Sequence, residues 1–162
     1  MTHVLLTVAT FLALTLSASA QTHPDHSGTW KMDEARSESA GHEGFTSPVV
    51  WTIKNSQDVM VLDLQRGPKT FTLTYKVLDK PPAGPATEGV PSYRAYWDGD
   101  ALITLTAQNI QGQTVTTRET RRLQNGGREL VVERILTVEH GYTLKGAQNY
   151  STAKDVFTRV SP

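Results

Sequence analysis

This chain predicts an all-β fold, a single antiparallel up-and-down barrel of about eight to ten strands. Three observations carry that expectation. Short stretches of alternating apolar and polar residues recur between turn residues. Val, Ile, Thr, Tyr, Phe and Trp, which fit a pleated and half-buried surface, are concentrated in those stretches. No window longer than about eight residues keeps a helical period.

The N-terminus comes first. Met1-Thr2-His3 leads into an apolar run from Val4 to Leu16, and Ala18-Ser19-Ala20 follows as a small-residue cleavage site. The run is too short to span a bilayer, which needs about twenty apolar residues. Residues 1–20 therefore read as a cleaved signal peptide, 21–27 as a flexible N-terminus and 28–160 as one barrel domain. The expected location is exported, periplasmic or extracellular, with no transmembrane segment in the mature chain.

Strands are expected near 28–33, 49–55, 58–66, 69–78, 92–97, 101–108, 113–123 and 128–138, with a further pair near 142–146 and 153–160. Asp33-Glu34-Ala35-Arg36 is the best candidate for a helical turn. The hairpins test one another, because a slip of one residue turns every side chain to the other face. A two-residue turn within Asn55–Asp58 sets Ile53 opposite Met60, Trp51 opposite Leu62 and Val49 opposite Leu64. A like turn within Arg66–Lys69 sets Leu64 opposite Phe71, Leu62 opposite Leu73 and Met60 opposite Tyr75. Both turns place the same side chains of the shared strand on one apolar face.

A third hairpin turns at Asn125-Gly126, a pair suited to positive φ. Its register sets Arg122 opposite Glu129 and Arg118 opposite Glu133 on a solvated face. The other face carries Val115, Leu123, Leu130, Val132 and Leu136. A fourth hairpin at Asp98-Gly99-Asp100, if its loop has three residues, aligns Trp97, Ala95 and Tyr93 with Ala101, Ile103 and Leu105. Two longer connections, Glu34–Pro48 and Asp79–Pro91, remain. Successive hairpins favour a meander, and many strands solve their edge problem best by closing into a barrel.

Composition excludes several functions. There is no cysteine, which removes disulfides, thiolate metal sites and thiol catalysis. Sixteen Lys plus Arg balance sixteen Asp plus Glu, so no basic surface is available to displace counterions from nucleic acid. No Gly-x-Ser-x-Gly elbow or phosphate-cradling loop is present, and no catalytic residue is assigned. Gln21-Thr22-His23 could wrap a square-planar metal with help from His26 and His42, but an N-terminal Gln tends to cyclise. His140 beside Gly141 reads as a turn residue. No metal site and no cofactor are expected.

Gly28-Thr29-Trp30 at the start of the first strand resembles the opening of the lipocalin superfamily, whose members close an antiparallel barrel around a small ligand. Gly28-Thr29-Trp30-Lys31-Met32 also looks like the opening of the fatty-acid-binding proteins. Trp97-Asp98-Gly99-Asp100-Ala101-Leu102, with the Gly-rich turn before Glu129-Leu130-Val131-Val132, looks like exported bacterial lipocalin-like (calycin superfamily) domains. The resemblance implies that a basic side chain near the last strand packs over the first-strand Trp, a place Arg159 can fill over Trp30. The chain departs from the fatty-acid-binding pattern at Arg159-Val160-Ser161, which lacks the expected Tyr, and its Glu34–Pro48 segment is shorter than their helical lid.

The register places Glu119, Arg121 and Arg134 on the apolar, inward face of the third hairpin. Charges do not sit in a core unless paired or used. Either Glu119 and Arg134 pair diagonally near a watered mouth, or an Arg fork meets a carboxylate. The ligand-binding candidates are Arg134, Arg121, Glu119, Trp51 and Tyr75, with Leu62, Leu73, Val132 and Leu136 completing the lining. The first reading is an exported protein holding a small hydrophobic or amphipathic molecule. The alternative is a structural or interaction protein of the cell envelope with a filled core, meeting an unknown partner through its long loops. Intact-mass analysis of secreted material should find a chain beginning at Gln21, and full-length chain in the cytoplasm of the native host would refute export.

Overall fold

The computed structural model describes residues 23–82, 92–110, 113–139 and 149–160. The signal-peptide region, His140 and the strand expected near 142–146 lie outside the described residues. Nine strands form one closed barrel in chain order: β1 (Gly28–Met32), β2 (Val49–Asn55), β3 (Val59–Arg66), β4 (Lys69–Leu78), β5 (Ser92–Asp98), β6 (Ala101–Ile110), β7 (Gln113–Gln124), β8 (Glu129–Glu139) and β9 (Tyr150–Arg159). Closure comes from β1 pairing with β9, which leaves no open edge. No helix among the described residues is long and apolar enough to cross a membrane.

The architecture is the expected lipocalin-like barrel, with one change in the meander. A closed ring of nine strands cannot alternate direction throughout, so one neighbouring pair must run parallel. That pair is β4 and β5, with Lys76 opposite Arg94, Val77 opposite Ala95 and Leu78 opposite Tyr96. A parallel pair needs a connection of about a dozen residues or more, and residues 79–91 supply it.

Registers follow the loops. The β3–β4 turn has two residues and pairs Leu64 with Phe71 and Leu62 with Leu73, as expected. The β2–β3 loop is longer by two, because Val59 N–H bonds the Ser56 hydroxyl and Ser56 N–H bonds the Val59 carbonyl. Ile53 therefore meets Leu62, and Trp51 meets Leu64. The β7–β8 loop is also longer by two. Asn125, Gly126 and Gly127 all take positive φ (50°, 66° and 80°), one more than a two-residue turn uses. Arg122 therefore faces Val131, not Glu129, and Arg118 faces Ile135, not Glu133. Arg122 reaches Glu133 diagonally at 3.3 Å. A slip of two keeps every face, so the inward sets on these strands stand.

The β5–β6 hairpin differs by one residue, and its faces invert. Asp98 pairs with Ala101 across a two-residue turn, so Trp97 meets Leu102 and Ala95 meets Thr104. Ala95 and Leu102 join the main core. Tyr96, Ala101 and Ile103 pack with Leu78 and Leu105 as a second cluster on the opposite face. Phe71 is a further departure. It has the inward register but stands beyond the rim, 48% exposed.

One end of the barrel is packed solid. Trp30, Ile53, Met60, Leu102, Leu130, Val132 and Phe157 are all at most 1% exposed. Trp30 and Arg159 are register partners there, and the guanidinium lies 4.2 Å from the Trp30 ring. Arg159 also donates to the Ser27 carbonyl at 2.7 Å and the Gly127 carbonyl at 2.9 Å, while Trp30 Nε1 donates to the His26 carbonyl at 3.0 Å. Gly28 carries φ +136°, and a Cβ there would stand 2.5 Å from Arg159 Nη1. The glycine of Gly-x-Trp is thus the space into which Arg159 fits.

Two stability outcomes follow for chemical denaturation. Leu130→Ala should cost about 2–5 kcal/mol by leaving a cavity. Gly28→Ala should cost about 1–3 kcal/mol through the strained φ, and more if Arg159 is pushed off Trp30. An unchanged midpoint for either would contradict this closure.

Candidate functional site

The open half of the barrel is built from the same inward rows that fill the closed half. Along β7 and β8 those rows read Arg121–Val132, then Glu119–Arg134, then Thr117–Leu136, moving toward the mouth. Glu119 and Arg134 are thus direct partners, and Arg134 Nε donates to Glu119 Oε1 at 2.8 Å. Arg121 donates to the other Glu119 oxygen and to the Thr104 hydroxyl.

Arg121 is fully buried. Its guanidinium carbon lies 5.3 Å from the Trp51 ring and 5.9 Å from the Tyr75 ring, so aromatic faces cover what the hydrogen bonds do not. The expectation that Arg121 meets a ligand's polar head is therefore corrected. It forms the floor, with both terminal nitrogens committed. Val132 is likewise packed in the closed half and does not line the cavities described below.

Arg134 links this floor to the mouth. Besides Glu119, it donates to Ser39 Oγ at 3.2 Å and stands 3.6 Å from Asp155 Oδ2. Asp155 is fully buried and accepts from Ser39 N–H at 2.9 Å and from Ser39 Oγ–H at 2.7 Å. Ser39 belongs to a strap of two 3-10 turns, Glu34–Arg36 and Glu38–Gly41, laid over the middle of β9. Ser37 bonds both N–H and carbonyl of Val156, Glu38 accepts from Lys154 N–H, and Arg36 pairs with Glu129 at 2.9 Å.

Two cavities meet at the mouth and share Trp51, Arg66 and Arg134. The inner one, about 330 Å³, is walled by Leu62, Leu64 and Leu73 on one side and by Tyr75, Thr106, Gln108 and Thr117 on the other, with Glu119 and Leu136 between. The outer one, about 230 Å³, lies under the strap against Met32, Phe45, Val49 and Asp155, with His42 and Glu43 on its exposed rim. Of the five ligand-binding candidates, Trp51, Tyr75, Glu119 and Arg134 line this chamber. Among the described residues, no group of three His, Asp or Glu side chains could hold a metal ion.

Charges on the chamber wall offset one another. Burial alone would raise the Glu119 pKa, but Arg121 and then Arg134 outweigh it and hold the carboxyl below its ordinary value. Burial alone would lower Arg134, and Glu119 and Asp155 reverse that. Tyr75 is pushed up, chiefly by burial, so its phenol stays protonated at neutral pH. Arg121 and Arg134 are balanced by Glu119 and Asp155. Arg66 stands exposed at the mouth with no ion-pair partner among the described residues, and Glu43 sets an opposite charge on the same rim, so the chamber wall as a whole is neutral. Sequence reading passed over Arg66 as a turn residue, although it continues the inward row of Leu62 and Leu64. Asp155 was missed too, despite alternating inward between Ala153 and Phe157.

Neither a protein-family model nor a curated protein matches this chain. Among solved structures, it is similar to the fluorescent protein UnaG, at 17% identity and TM-score 0.46 over 83% of this chain and 96% of that one. Human cRBP IV shows 17% identity and TM-score 0.47, covering 85% of this chain and 99% of its own. Lipid binding protein 8 of Caenorhabditis elegans, solved without ligand, shows 16% identity and TM-score 0.47 over 83% and 94%. What this barrel can hold is decided by its own side chains.

Glu119 gives a pH test. Its folded-state pKa lies below the ordinary 4.5, so its contribution is fully present above pH 4.5 and is lost as pH falls through the folded value. Glu119→Gln should cost about 3–5 kcal/mol at pH 7, because it unpairs a buried guanidinium. The gap between the two proteins should narrow in thermal melts below pH 4.5. A gap that stays constant with pH would mean the carboxylate is not the group that matters.

Proposed function

We propose that this chain is an exported, bacterial lipocalin-like carrier of small amphipathic carboxylic acids. The observation that carries the reading is Arg66, which has no ion-pair partner among the described residues and stands with Arg134 where the mainly apolar inner cavity opens to the mouth. An anion there would take Arg66 and the outward side of Arg134 as its partners. An apolar tail would lie along Trp51, Leu62, Leu64 and Leu73. A concave, mainly apolar site with a few convergent polar groups is the usual form of a small-molecule pocket. Support for export is the signal-peptide pattern of residues 1–20.

Affinity should be micromolar, since Arg66 is solvated and only part of the head group's surroundings is preorganised. Calorimetry with decanoate and its methyl ester provides the test. Arg66→Gln should weaken the acid about fivefold, equivalent to ~1 kcal/mol, and leave the ester unchanged. Equal loss for both would make Arg66 a packing residue. Binding of neither would favour the envelope-scaffold alternative.

A further inference from the structure

The two walls of the inner cavity differ in kind. Leu62, Leu64 and Leu73 from β3 and β4 offer no polar atom, whereas β6 and β7 present Thr106, Gln108 and Thr117. Among the described residues, the Thr117 hydroxyl and the Gln108 amide have no side-chain hydrogen-bond partner, and the Thr106 hydroxyl has only a long 3.4 Å contact with Tyr75 Oη. Gln108 is exposed, but a saturated tail filling this space would cut the partly buried Thr106 and Thr117 hydroxyls off from solvent, which costs free energy for each one unmatched.

The height of the two threonines in the barrel says which ligand group could meet them. Thr106 pairs with Thr117, and Thr117 lies two residues mouthward of Glu119, the partner of Arg134. At about 3.3 Å per residue, this hydroxyl pair stands roughly 7 Å from the Glu119–Arg134 row. A ligand whose carboxylate meets Arg66 and Arg134 would carry its matching group only a few bonds along its chain. The inner cavity of about 330 Å³ has room for ~11 water volumes of ~30 Å³ each, hence a body of roughly a dozen non-hydrogen atoms.

We propose, building on the acid-binding reading above, that the chamber selects medium-chain carboxylic acids hydroxylated near the carboxylate over unhydroxylated acids of equal length. The hydroxyl bonds Thr117 and Thr106, and the remaining chain lies on the leucine wall. Tyr75, kept protonated by burial, closes the polar side at the floor.

Racemic 3-hydroxydecanoate and decanoate, titrated calorimetrically into the mature protein, test this directly. The hydroxy acid should bind about three- to tenfold tighter, the yield of one well-made hydrogen bond. Thr117→Val should erase that preference, weakening the hydroxy acid while decanoate, relieved of an unmatched hydroxyl, binds at least as tightly as before, and Thr117→Ser should keep it. Decanoate binding as tightly as the hydroxy acid would overturn the selectivity while leaving acid binding intact. A preference that survives in Thr106→Val/Thr117→Val would overturn the assignment to this wall. Binding of neither acid would remove the carrier reading itself.

Discussion

The burial of Arg121 is the constraint around which the barrel is organised. A guanidinium cannot be withdrawn from water without partners, and its partners dictate the neighbours. Glu119 is fixed beside it on the same strand, Thr104 across the sheet, and Trp51 and Tyr75 over its faces. Once Glu119 is there, a second cation is needed above it, and Arg134 fills that place. Arg134 then draws Asp155 and Ser39, so one charge deep in the barrel sets the position of a strap at the mouth. The alternation of sign from floor to rim separates a solid half below from a chamber above.

The strap and the closed end are fastened differently. At the closed end, a cation lies on an indole and bonds backbone carbonyls, contacts that depend little on pH. The strap is held by side-chain hydroxyls and carboxylates, Ser37, Glu38 and Ser39 on β9 and Arg36 on Glu129. Such bonds exchange with water at modest net cost. The rigid end fixes the barrel, while the mouth is fastened by side chains of the strap.

Most of the architecture was legible because alternation constrains faces even where it leaves pairings open. The β2–β3 and β7–β8 registers differ from expectation by two residues, and two is the period of the pleat, so Trp51, Leu62, Glu119 and Arg134 still point inward. At β5–β6 the loop differs by one residue, and Ile103 and Leu102 exchange faces. Loop length was the weak link each time, because a Ser56 hydroxyl or a third left-handed residue lengthens a turn without a strong sequence mark. The site was legible on one hairpin only. Arg66 begins the expected turn at the end of its strand, Asp155 lies in the expected strand 153–160 whose inward row was not followed, and their relation to Arg134 is created by closure.

The parity of the strand count has a mechanical consequence. A ring of nine must contain one junction unlike the rest, and here it is the parallel one between β4 and β5, whose three register pairs are as few as those of the antiparallel β1–β9 closure. Parallel ladders are slightly weaker per residue than antiparallel ones, and this one closes only after its long connection has been brought together. It is therefore the seam of the barrel, the place where amide protons should exchange first while the antiparallel arc from β5 through β9 and β1 to β4 stays intact. Tyr75 stands beside this seam and lines the chamber. Breathing of the sheet is thus directed to one side of the pocket, and the wall it loosens is the one carrying the phenol.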